Sequence, residues 1–199
     1  MNQPPKISLA AIPTPLQRLD RTSRLLGANI WVKRDDLTGA AESGNKIRKL
    51  EFLVAEAIEQ GADMLITCGG EQSNHSRAAA IAARKCGMDI HLILRRTTEG
   101  PTGNFLLDMI LGATIRWVTP DEYVHRDELL AEEAEKFRKI GRKPYIIPEG
   151  GSNCLGIWGY VHAAQEAMAQ ARARTNGISA TRIMQPIARR RTACISTIL

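Results

Sequence analysis

Four short apolar runs, each separated from the next by a segment of helical period, constrain this chain more than any other feature. Residues 64–67, 90–94, 115–118 and 145–147 are compact and mostly apolar. Buried parallel strands read this way because helices cover both faces of their sheet. Between the runs, apolar residues recur at helical spacing. Ile47, Leu50, Leu53, Val54, Ala57 and Ile58 share one face, and Gly61 stops that helix. Residues 73–86 form an alanine-rich helix with Gly87 just past its end, and residues 104–111 one closed by Gly112. Thr119 is placed to cap a helix with Pro120 at its first position, running to about Ile140. A last helix is expected over about 155–172. The pattern is α/β, with parallel sheets and helices on both faces. Upstream, prolines 4, 5, 13 and 15 punctuate an irregular opening. A short strand at 30–33 then leads into a charged, glycine-containing loop at 34–44.

Bulk properties narrow the function classes. With 199 residues, 44% hydrophobic and 24% charged, the chain is of ordinary globular type with enough length for a real core. No apolar run approaches the roughly 20 residues that span a bilayer. Residues 1–6 lack the apolar stretch of a secretory leader, so a cytoplasmic location is expected. The net charge of +6 invites a nucleic-acid reading, but its location removes the invitation. No acidic residue follows Glu166, whereas arginines 172, 174, 182, 189, 190 and 191 do. The excess is a tail and not a face woven from several elements, so nucleic acid is not an expected partner. Cys68, Cys86, Cys154 and Cys194 form no CxxC pair and read as free thiols, mostly buried. Cys68 and His75 would need two further ligands to hold zinc, and the spacing offers none. No metal site is expected.

Three stretches can carry chemistry. In Ser43-Gly44-Asn45-Lys46, the lysine stands at the start of a helix after a glycine-bearing turn. The positive end of the helix dipole disfavours its protonation, which suits an amine that must attack an aldehyde. Position alone favours a solvated lysine, since most lysines at helix starts are solvated. Gly69-Gly70-Glu71-Gln72-Ser73-Asn74-His75 joins the end of a strand to a helix, where open α/β sheets place ligands. Backbone N–H groups, a hydroxyl and an amide there suit a carboxylate, although Ser73 can equally be a plain helix cap. No GxGxxG or P-loop pattern occurs. Glu149-Gly150-Gly151-Ser152-Asn153 is another permissive turn. His91, His125 and His162, like Trp31, Trp117 and Trp158, read as surface or packing residues.

Taken in order, Pro13-Thr-Pro-Leu16, Val32-Lys-Arg-Asp-Asp36, Gly44-Asn-Lys-Ile-Arg-Lys-Leu-Glu51, Gln72-Ser-Asn-His75 and Gly150-Gly-Ser-Asn153 resemble one family. It is that of D-cysteine desulfhydrase and 1-aminocyclopropane-1-carboxylate deaminase. The resemblance covers about residues 12–172. It implies the tryptophan-synthase β-like fold (PLP fold type II) with pyridoxal 5'-phosphate as cofactor, and a homodimer for the full-length family. Lys46 would be the cofactor lysine and the base that moves the substrate's proton, with Asn45 beside it. Asn74 would bond the cofactor's phenolic oxygen. Ser73, with Gln72, Asn74 and His75, would hold a small amino-acid substrate by its carboxylate. The implied reaction is that of a carbon–sulfur lyase and deaminase, D-cysteine giving pyruvate, hydrogen sulfide and ammonia. Aminocyclopropane-carboxylate deamination and L-cysteate desulfonation are the alternatives, and a non-catalytic remnant is the alternative outside enzymes.

The resemblance also implies a division of the chain. Residues 1–48 would begin the larger domain, 49–161 would form the smaller α/β domain, and 162–174 would return to the larger one. Family members continue for over a hundred residues and carry a phosphate-binding loop there, so the second domain is expected to be incomplete and cofactor binding impaired. Residues 175–199 show no periodicity and are expected to be an aberrant or poorly ordered tail; a frameshift would account for it. Two local departures stand out. Ser43 replaces a usual glycine, and Glu71 brings a carboxylate to a position where one facing an anionic substrate would be unfavourable.

Overall fold

The computed structural model describes residues 3–96 and 100–175. Strands β3 (Met64–Gly70), β4 (Asp89–Arg95), β5 (Thr114–Val118) and β6 (Pro144–Ile146) form one sheet in the order β5-β4-β3-β6. Every pairing in it is parallel. Each connection is therefore a crossover, and helices α3 (Asn74–Lys85), α4 (Gly103–Ile110) and α5 (Arg126–Lys139) supply them. The expected α/β architecture is present.

Alternation along β3 assigns its side chains to two cores. Leu65 joins Ile90, Leu92, Leu94 and Tyr145 on one face, under Ile47, Leu50, Leu53 and Val54 of α2 (Lys46–Glu59). The alanines of α3 pack there too, their small side chains letting that helix lie close to the sheet. Met64, Ile66 and Cys68 point the other way, against Tyr123, Leu130 and Ala134. Each fully buried leucine or isoleucine stabilises the fold by about 1.5–3 kcal/mol, so these layers set the sheet's register.

Several elements differ from the expectations. Residues 16–27 hold a strand β1 (Leu16–Arg18) and a helix α1 (Asp20–Leu26) where only a polar stretch is evident. Strand β1 pairs antiparallel with β2 (Trp31–Lys33). Thr119 and Glu122 do form a capping box, exchanging backbone N–H bonds at 2.7 and 3.2 Å. Residues 122–125 nevertheless wind as a tight 3₁₀ turn, and the α-helix starts only at Arg126. Helix α6 (Trp158–Thr175) begins after an irregular turn in which Asn153 Oδ1 accepts the Gly156 N–H. Helix α2 runs unbroken through residues 48 and 49, and α6 through 161 and 162. Of the thiols, Cys68 is buried, Cys86 partly so and Cys154 exposed. Cys194 and the tail from residue 176 lie outside the described residues.

A buried ionic cluster joins the start of the chain to α6. Arg48 donates to both oxygens of Asp35, at 2.9 and 2.8 Å, and to Glu166 at 3.0 Å. Lys33 donates to Glu166 and, at 2.9 Å, to Gln170 Oε1. The Thr14 N–H is held by Glu166 at 2.8 Å, and its hydroxyl donates to Asp35 at 2.9 Å. Burial pushes the Lys33 ammonium below its ordinary range, against the pull of its hydrogen bond to Glu166. Arg48 sits two residues past Lys46, so the cluster forms the backing of the first turn of α2.

Candidate active site

The turn before α2 is braced from within. The buried Thr38 hydroxyl accepts the Gly44 N–H at 2.9 Å and lies within donating distance of the Asp35 and Gly44 carbonyls. Asn45 donates its side-chain amide to the Tyr160 hydroxyl of α6. Lys46 then opens the helix. Across from it stands Gly150, at φ 67°, where a β-carbon would lie 3.2 Å from Lys46 Nζ. A side chain at 150 would crowd the amine and strain the backbone, so glycine leaves the approach to Lys46 open.

Lys46 lines an open cleft of about 870 Å³ together with Lys49, Ser152, Asn153 and Tyr160. The cleft has a second ammonium. Lys49 Nζ donates to Ser152 Oγ at 2.9 Å and to the Gly150 carbonyl at 3.2 Å, and it lies 5.5 Å from the centre of the Tyr160 ring. Burial, and then the charge of Lys46, push Lys49 down to about 8. Two ammonium groups crowded into one partly buried cleft favour an anion between them.

The turn at 71–75 follows β3. Ser73 caps α3, its Oγ accepting the N–H groups of His75 and Ser76, both at 3.2 Å. A capping hydroxyl keeps its own proton, so Ser73 is a cap and a donor at once. Gln72 and Asn74 are exposed, whereas His75 is 4% exposed. Its Nε2 is 2.9 Å from Thr67 Oγ1, which itself donates to the Ile147 carbonyl at 2.8 Å. Burial, followed by the charges of Lys46 and Lys49, push the imidazole down to about 3, so it is neutral at physiological pH. The structure thus brings Gln72, Ser73 and Asn74 to one surface and turns the His75 ring into the fold. Glu71 is buried as well, its N–H bonded to the Arg95 carbonyl.

Arg77 ties the two turns together by donating to the Ser43 carbonyl at 2.8 Å. Lys49, Tyr160, Arg77 and Asn104 lie at the candidate site, and sequence reasoning does not single them out. Lys49 carries a signal, because residues three apart share a helix face. Tyr160 carries none, since a helix register alone does not reveal which loop it meets.

Comparison with known proteins decides the family. The family described as pyridoxal-phosphate dependent enzyme matches residues 7–181. The chain belongs to that family. It is 47% identical over 167 residues to the bifunctional D-cysteine desulfhydrase/1-aminocyclopropane-1-carboxylate deaminase, mitochondrial, of Arabidopsis thaliana, covering 80% of this chain and 42% of that one. It is 42% identical over 170 residues to the D-cysteine desulfhydrase of Serratia proteamaculans, covering 83% and 52%. A crystal structure of an ACC deaminase homologue superposes with a TM-score of 0.79 at 41% identity, over 88% of this chain and 52% of the other. The fold is thus PLP fold type II, tryptophan-synthase β-like, as the motifs implied. The chain spans about half the length of the curated relatives it matches. Among the described residues no helix is long and apolar enough to cross a membrane.

Proposed function

We propose that this chain carries the cofactor lysine and the substrate-facing turn of a pyridoxal-phosphate-dependent lyase acting on a small amino acid, D-cysteine foremost. The observation that carries the reading is the cleft at the start of α2, where Lys46 faces a glycine and a second ammonium lies within the same walls. These residues fit the cofactor: an amine for its aldehyde and a positive cleft for its negative charge. Lys46 would hold the aldehyde carbon, and Lys49 would add positive charge nearby. Asn74 would bond the phenolic oxygen.

When bound, the cofactor withdraws electrons from the α-carbon of the amino acid. The rest falls to the chain's own groups. Lys46 takes the α-proton and returns one. The Ser73 hydroxyl, with its proton unspent by capping, holds the substrate carboxylate. From D-cysteine and water the products are pyruvate, hydrogen sulfide and ammonia. The names of the relatives support both this reaction and deamination of aminocyclopropane carboxylate. We place D-cysteine first on our reading of the Gln72-Ser73-Asn74-His75 turn as one that suits a sulfur-containing amino acid.

Borohydride reduction in the presence of pyridoxal phosphate, followed by peptide mapping, tests the reading. A label on Lys46 is expected, with an absorption band weaker than that of the full-length relatives. A label on Lys49 alone, or none on either, would overturn it.

A further inference from the structure

We propose that Arg77 and Asn104 form a positioning pair that fixes which end of the Asn74 side-chain amide faces a ligand. The inference rests on the proposed cofactor site, because Asn74 is the residue assigned there to an acceptor, the phenolic oxygen.

An asparagine amide has an accepting end and a donating end of nearly the same shape, so its partners decide how it is turned. The partners of Asn104 leave no choice. Arg77 Nη1 donates to Asn104 Oδ1 at 2.8 Å, and a guanidinium has no acceptor. On the opposite end, Asn104 Nδ2 donates to the Gln72 carbonyl at 2.9 Å, and a carbonyl has no donor. The second hydrogen of that Nδ2 goes to Asn74 Oδ1 at 3.0 Å. Asn74 must therefore turn its oxygen toward α4 and its NH2 the other way. Polarity passes from an unambiguous donor, through one amide, to the next.

The surroundings hold Asn104 in that role. Its backbone N–H donates to Gln72 Oε1 at 2.8 Å, and Gln72 Nε2 donates to the Thr102 carbonyl at 2.9 Å. Gly103 makes the approach possible. A β-carbon there would lie 2.4 Å from Gln72 Oε1, at a φ of 55° that disfavours other residues. Arg77 also grips the Ser43 carbonyl, so the device that orients Asn74 is anchored to the turn that presents Lys46. An exposed Asn74 without this pair would offer its oxygen as readily as its NH2, and the oxygen would repel an anionic ligand atom.

Amide NMR on the unliganded chain reads the polarity directly. The Asn104 side-chain NH2 is expected to exchange slowly with water and that of Asn74 quickly. The reverse order overturns the proposal. Asn104→Asp places an acceptor where the donor was, so protection is expected to move onto the Asn74 NH2; an unchanged Asn74 signal in the folded variant also overturns it. Asn104→Ala is the companion variant, expected to leave Asn74 unprotected at either end. With pyridoxal phosphate as probe, Asn104→Asp should weaken uptake at Lys46 about tenfold, the scale of one net hydrogen bond. Asn104→Ala should weaken it less. In an Asn74→Ala background, Asn104→Asp should have no further effect. Weakening that persists there would mean that Asn104 acts around Asn74, against the proposal. Failure of the unsubstituted chain to take up the probe counts against the proposed function alone, and the exchange measurement still decides the polarity.

Discussion

Arg48 lays its guanidinium across both carboxylate oxygens of Asp35, at 2.9 and 2.8 Å, with neither side chain more than 2% exposed. A buried pair of this kind is costly to break by halves, because the Arg48 charge then stays buried with only Glu166, already shared with Lys33, to compensate it. Asp35→Ala should therefore cost about 3–5 kcal/mol of stability in urea unfolding. A loss below about 1 kcal/mol, the scale of an exposed pair, would show that water reaches the cluster.

Asp108 on α4 is a buried charge of the opposite kind. It is 0% exposed, and neither carboxylate oxygen has a hydrogen-bond partner among the described residues. Burial raises it to about 7, opposed in part by the charge of Arg77. Unfolded, the group ionises near 3.8. Between those values the folded chain keeps a proton that the unfolded chain has lost, so stability falls as pH rises from about 4 to 7. The Tm of Asp108→Asn relative to the parent should climb across that window and level off above it. A difference that does not vary with pH would contradict this.

Lys49 carries the inverse dependence. Its ammonium ionises near 10.5 when unfolded and at about 8 in the cleft. From pH 8 to 10.5 the unfolded chain holds the extra proton, so stability grows with pH across that window, and the penalty is full below it. Lys49→Met should raise Tm at pH 7, with the advantage shrinking toward pH 10. Equal Tm values at pH 7 would show that the cleft is better solvated than its walls suggest.

Ser73 caps α3 and is proposed to hold the substrate carboxylate, and substitution separates the two roles. Ser73→Ala removes the acceptor for the N–H groups of His75 and Ser76 and should cost about 1 kcal/mol. Ser73→Asp restores an acceptor, so thermal melts should show most of the loss recovered. It lacks the hydroxyl proton and adds a negative charge, so recovered stability with lost substrate affinity would separate capping from carboxylate binding. An aspartate variant as unstable as the alanine one would show that capping is not what Ser73 contributes.

The sheet was legible because strands covered on both faces leave uninterrupted apolar runs; residues 64–67 are an example, and the observed strand extends that run to Gly70. The positions of Lys46 and Ser73 at helix starts were legible because helix starts carry local signals. Helix α1 was not, since Ser23 is the only buried residue in its polar stretch and no apolar stripe marks it. Lys33, Asp35, Arg48 and Glu166 read singly as surface charges, and their burial follows only from contacts spanning most of the chain. The placement of the His75 ring depends on Thr67 of β3 and Ile147 beyond β6. Local spacing cannot reveal such a neighbourhood.

The bond from the Thr14 N–H to Glu166 joins residues 152 positions apart. Contacts of such long range close late in folding, after local helices and neighbouring strands have formed. On the ribosome, the first turn of α2 leaves the exit tunnel long before Glu166 has been translated. The amine at its tip is thus made early and seated late, and a nascent chain can display Lys46 without yet holding it in working order.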